Sequence, residues 1–127
     1  MTTPAPGTLA WFEVGTSDPG GAQKFYGSLF DWTFDADGPA ASGLDYRNIT
    51  ASGASAPMGG IANTGDSPGH AVFYILVADV AATCADAEQL GGSVVSQHLD
   101  PGPGAPAFAY LCDPSGNKFG VFTPPAA

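Results

Sequence analysis

Trp11-Phe12-Glu13-Val14 is an apolar run that reaches Asp18 and opens a helix-like stretch with Ala22, Phe25, Tyr26 and Leu29; the pattern returns at an offset of 61 residues. There Val72 to Val77 reaches Asp79 and opens a second stretch with Ala82, Ala87 and Leu90. Each Asp reads as a helix N-cap, because its short carboxylate accepts from the free backbone N–H groups of the first turn, and Pro19 suits the first helical position. Each stretch then reverses into strand-like residues, Trp32-Thr33-Phe34 in the first half and Ser93-Val94-Val95 in the second. Two such units make a dyad, and a dyad creates a cleft between its halves.

Along the chain, the periodicity predicts strand 8–15, a helix over 19–30, strand 31–36, a third strand from Leu44 to Thr50 and a short Gly-rich fourth from Pro57 to Ala62. Asn63 to Gly69 is polar and turn-rich and reads as the linker between modules. The second half predicts strand 71–77, a helix over 80–90, and strands 93–98, 107–111 and 118–123. The economical description is α+β: one domain over 1–127, with one βαβββ module at about 8–62 and another at about 70–123.

Composition and charge narrow the function classes. The chain has 127 residues, enough for one domain with a real core, and its hydrophobic fraction of 44% is globular. Most of the eighteen Gly and twelve Pro fall between the periodic segments, where they act as turns. Lys24, Arg47 and Lys118 oppose twelve acidic residues, and a formal charge of −9 repels a phosphate backbone or an anionic membrane. No apolar stretch approaches the ~20 residues that span a bilayer. The first seven residues lack the basic region and apolar core of a signal peptide, so a cytoplasmic location is expected. Gly102 and Gly104 alternate with prolines that lack N–H donors, which excludes a phosphate loop. No Ser stands in a nucleophile elbow, and Asp31, Asp35 and Asp37 lack the later Glu of a calcium loop. Cys84 and Cys112 are far apart in sequence and read as two reduced, buried thiols.

The most specific local signal is Asp113-Pro114-Ser115-Gly116-Asn117, followed by Lys118-Phe119-Gly120-Val121-Phe122. Pro114 presets φ for a turn and Gly116 takes the left-handed position, so a hairpin follows. Three motifs together resemble the vicinal oxygen chelate superfamily of glyoxalase I, extradiol dioxygenases and bleomycin-resistance proteins. They are a strand ending in Asp before a helix with Phe25-Tyr26, a second such unit ending in Leu90-Gly91-Gly92, and the terminal hairpin. The resemblance covers roughly residues 8–123. It implies two βαβββ modules whose mixed sheet curves into a half-open barrel with helices outside and one pocket in the cup. It also implies a homodimer.

Enzymes of that superfamily hold a divalent metal with His and Glu side chains. Here the position seven residues before the first strand-ending Asp is Trp11, its counterpart in the second module is Val72, and the place of the last-strand Glu is Gly120. Ala51 to Ala62 contains no His, Asp, Glu or Cys for the remaining ligand. Indole, isopropyl and hydrogen do not ligate such an ion, so neither metal nor other cofactor is expected.

Glu13 and Trp11 share one face of their strand by alternation. Glu13 is either a carboxylate inside an apolar cup, serving as acid, base or hydrogen-bond anchor, or a rim carboxylate paired with Arg47 or capped by backbone N–H groups. His70 and His98 stand at strand ends, where histidines are ordinarily solvated. Phe12, Phe25, Tyr26 and Leu29 read as helix–sheet core. Trp11, Tyr46, Phe73, Phe108 and Phe119 divide between pocket wall and core, with Asn48 on the Tyr46 face as an orienting donor or acceptor. An aromatic-lined cavity with few polar groups favours a planar, largely apolar ligand. Two readings follow. One is a metal-independent protein that encloses an aromatic or apolar metabolite or antibiotic. The other is an isomerase, lyase, cyclase or dioxygenase-like enzyme, metal-free with Glu13 as its acid/base group or metal-dependent at a rearranged site.

Overall fold

The computed structural model describes residues 5–35, 46–100 and 105–124. Asp37, the start of the third expected strand at Leu44 and the Gly102–Gly104 turn lie outside the described residues. The order is β1 (Leu9–Thr16), α1 (Pro19–Phe30), β2 (Thr33–Asp35), β3 (Tyr46–Thr50), β4 (Gly59–Asn63), β5 (His70–Leu76), α2 (Val80–Gln89), β6 (Ser93–His98), β7 (Ala107–Cys112) and β8 (Lys118–Thr123). This is βαβββ twice, an α+β fold. The chain forms two compact units, Trp11–Ala71 and Met1–Ala10 with Val72–Ala127.

Both units are built alike. In the first, β1 pairs in parallel with β4, and β4–β3 and β3–β2 are antiparallel. In the second, β5 pairs in parallel with β8, and β8–β7 and β7–β6 are antiparallel. Both helices start where their caps dictate: the Asp18 carboxylate accepts from Gly21 N–H and that of Asp79 from Ala82 N–H, each at 3.0 Å. Helix α1 ends on Asp31 in the left-handed region (φ 58°).

Alternation assigns the faces. In the first unit Phe12, Val14, Arg47, Ile49, Gly59 and Ile61 lie on one face through the β1–β4–β3 register. This is the face of α1, where Phe12 meets Trp32, with ring centres 5.7 Å apart. The helix differs from expectation. Phe25 is 60% and Leu29 59% exposed, so these two do not build the core. The inward positions are Pro19, Ala22, Gln23, Tyr26 and Gly27, and the apolar stripe is wider than the face that packs. In the second unit Val80 and Cys84 of α2 pack with Ala109, Leu111 and Val121 into a buried cluster. Among the described residues no helix is long and apolar enough to cross a membrane.

Candidate functional site

The sheet face opposite α1 carries Trp11, Glu13 and Gly15 from β1. The register sets Glu13 beside Gly60, and Gly60 beside Asn48. The next row is Gly15, Ala62 and Tyr46. Glu13 is 3% exposed, the one buried charged side chain among the described residues. Its Oε2 lies 2.8 Å from His70 Nε2, at the start of β5. The two atoms are within hydrogen-bond distance, and the ionic form of such a bond is roughly twice as strong as a neutral one.

Two glycines make the arrangement possible. A Cβ on Gly15 would stand 2.7 Å from His70 Nε2 and 2.8 Å from Thr64 Cγ2, so the imidazole lies over bare backbone. A Cβ on Gly60 would clash with Cε1, Cζ and Oη of Tyr46. That ring leans across β4 and accepts through its Oη from Trp11 Nε1 at 2.9 Å. The result is a buried carboxylate bonded to an imidazole, with two joined aromatic rings on the same sheet face. Every buried side-chain nitrogen and oxygen among the described residues has a partner.

Trp11, Glu13, Tyr46 and Asn48 therefore share one face of one unit: alternation pairs Trp11 with Glu13 and Tyr46 with Asn48, and the β1–β4–β3 register brings the two pairs together. The Arg47 partner for Glu13 is corrected: Arg47 is on the opposite face and donates from Nη1 to Gln23 Oε1 at 2.9 Å. Consecutive strand residues point to opposite faces, so Arg47 cannot share the side of Asn48. His70 is likewise corrected, since it is a partly buried bonding partner rather than a solvated strand end. The signal for it was Gly15, whose missing side chain leaves room for a ring.

Phe73, Phe108 and Phe119 belong to the other unit. Phe73 stacks on Phe119 at 6.0 Å, on the face of Ile75 and Val121 that bears α2. Phe108 lies on the other face with Tyr110 and stacks on His98 at 4.4 Å. These three aromatics therefore do not share one surface. Cys84 is buried and Cys112 half-buried, both as free thiols; burial, then the Glu88 carboxylate, push the Cys84 thiol up.

The donors do not fit the superfamily's chelate. Among the described residues no three His, Cys, Asp or Glu side chains gather. At Gly120, the position of the expected last-strand carboxylate, a Cβ would come within 2.5 Å of Tyr74 Cδ2 and Cε2. An aromatic ring fills the place a Glu would need.

Comparison with known proteins agrees with this architecture. Residues 11–122 match the model of the glyoxalase-like domain. CFP32 of Mycobacterium tuberculosis is 36% identical over 124 residues, which cover 93% of this chain and 44% of that protein. The chain thus spans less than half the length of that relative. A glyoxylase-like domain-containing protein of Didymella fabae is 30% identical over 94% of this chain and 95% of its own length. The anthracycline biosynthesis protein DauV of Streptomyces sp. is 29% identical over 96% of this chain and 49% of its own length. Among solved structures, methylmalonyl-CoA epimerase from Mycobacterium tuberculosis superposes with a TM-score of 0.64, covering 99% of this chain and 93% of that one at 14% identity. That likeness is one of fold. A doubled βαβββ plan and a family match over most of its length make this chain a member of the glyoxalase-like domain family, within the vicinal oxygen chelate superfamily.

Proposed function

We propose that this protein is a metal-independent small-molecule binding member of its family, taking an aromatic or apolar metabolite or antibiotic on the Glu13 face. The observation that carries the reading is the buried Glu13–His70 pair, set beside the linked rings of Trp11 and Tyr46. The rings supply flat apolar area, and the pair with Asn48 supplies orientation for one polar group of the ligand. Relatives named for anthracycline biosynthesis support a fused-ring aromatic ligand. A cytoplasmic homodimer belongs to the same proposal.

The test is a thermal-shift and calorimetric screen of fused-ring aromatic compounds, an anthracycline among them. Trp11→Ala should weaken a hit by about 1–3 kcal/mol, the range for a well-buried aromatic. Chelator should leave Tm unchanged, because a bound ion would add RT ln(1 + [L]/Kd) to stability. One metal ion per chain by elemental analysis would overturn the metal-independent reading. Light scattering at the monomer mass of 12.7 kDa would overturn the dimer.

The 2.8 Å contact between Glu13 and His70 also favours a second reading, a metal-free enzyme. There Glu13 moves a proton at a bound substrate and His70 holds its carboxylate in position. Glu13→Gln distinguishes the two: loss of turnover with affinity kept selects the enzyme.

A further inference from the structure

Two of the chain's three basic side chains border one cavity. Lys24 and Arg47 line an open cavity of about 340 Å³, with Gln23, Ser28, Trp32 and Phe34 among its other walls. It lies on the α1 face of the first unit. Arg47 alternates away from Asn48, so the sheet separates this cavity from the Glu13–His70 pair. The third cation, Lys118, lies in the other unit, 4.7 Å from the centre of the Tyr110 ring.

The walls are set rather than loose. Trp32 is held by Phe12, Tyr26 and Phe30, with ring centres 5.7, 5.6 and 5.1 Å away. The Gln23 amide oxygen accepts from Arg47 and fixes the guanidinium at the wall. Two glycines of α1 border the space. A Cβ on Gly27 would press to 3.2 Å from Phe34 Cε1, and one on Gly20 would meet nothing nearer than Asp18 Oδ1 at 3.9 Å.

Charge decides which ligand fits. A net charge of −9 opposes any anion at long range. With a Debye length of about 8 Å at physiological salt, however, carboxylates beyond that range are screened, while the cations at the wall act at contact distance and the Asp18 carboxylate stands at the Gly20 end. Guanidinium presents a planar fork to a carboxylate, ammonium adds a point charge, and the indole and phenyl walls suit a flat ring. We propose that this cavity is a second ligand site, for a planar aromatic carboxylate whose carboxylate lies between Lys24 and Arg47 and whose ring lies against Trp32 and Phe34. It does not depend on the role of Glu13.

The test is NMR titration of the ¹⁵N-labelled protein with naphthalene-2-carboxylate, its neutral carboxamide and inorganic phosphate. The carboxylate should give saturable shifts at the Trp32 indole N–H and the Gly20 and Gly27 amides, leaving the Trp11 indole, Gly15 and Gly60 in place. Lys24→Gln and Arg47→Gln should each weaken it about tenfold, the loss of one charge-assisted hydrogen bond. Gly20→Leu, which fills the space without removing charge, should abolish it. Lys24 is exposed, so its variant carries the test if Arg47→Gln fails to fold. Equal affinity for the carboxamide or for phosphate, shifts centred on Trp11 and Gly60, or no saturable shift at millimolar probe would each overturn the proposal.

Discussion

His70 reaches Glu13 across the bare backbone of Gly15, its Nε2 2.8 Å from the carboxylate oxygen. The carboxylate is 3% exposed, and such a charge is tolerated in a sheet interior only with a partner.

Removing one member of the pair should therefore cost more than removing the charge in place. His70→Ala leaves Glu13 without this partner and should lower stability by about 3 kcal/mol, the scale for breaking a buried pair. Glu13→Gln keeps the shape and should lose about half as much, the scale of one charged hydrogen bond. Urea unfolding of both variants measures the order, and equal losses would deny the pair its electrostatic role.

Gly60 stands under the Tyr46 ring, so a side chain there must displace it. Gly60→Val should cost about 1–3 kcal/mol by overpacking and break the Trp11–Tyr46 bond. The readout is loss of the Trp11 indole proton's protection from exchange.

The Asp113 hairpin has a pH signature. Hydrogen bonds from the Asn117 side chain, then from backbone N–H groups of Asn117 and Ser115, hold its carboxyl below the ordinary range. A depressed folded value gives stability that is full above the unfolded value near about 3.9 and is lost as pH falls through the folded one. The gap in urea midpoint between wild type and Asp113→Ala should be constant near neutrality and close in acid. A gap that persists in strong acid would mean packing, not ionisation, carries the turn.

Cys84 should behave in the opposite sense. With its thiol pushed up by burial, its contribution is full below the unfolded thiol value near about 8.5 and is lost as pH rises through the folded one. A thiol reagent at neutral pH should label half-buried Cys112 first and Cys84 only as the chain opens. Simultaneous labelling would contradict the buried placement.

Much of this was legible in the chain because the signals are local. Asp18 and Asp79 cap helices, Pro19 stands in the first turn, and Gly116 takes φ 90° in its hairpin. What escaped depends on tertiary packing. Phe25 and Leu29 obey helical spacing, yet the side of α1 that is covered is the one bearing Ala22 and Tyr26. Period two paired Trp11 with Glu13 and Tyr46 with Asn48, but the register that joins the two pairs on one face is tertiary, and no local pattern in β1 identifies a partner 57 residues away.

That separation also orders events in time. β1 must join β4, from Phe12–Gly59 to Thr16–Asn63, and the turn after β4 must bring His70 back before the pair exists. Closing so long a loop costs chain entropy before the contact returns any energy, which places it late in folding. Glu13→Gln should then speed unfolding while leaving the folding rate nearly unchanged. Stopped-flow chevrons would show it, and the half-life of the native site would be governed by how fast the chain opens rather than how fast it closes.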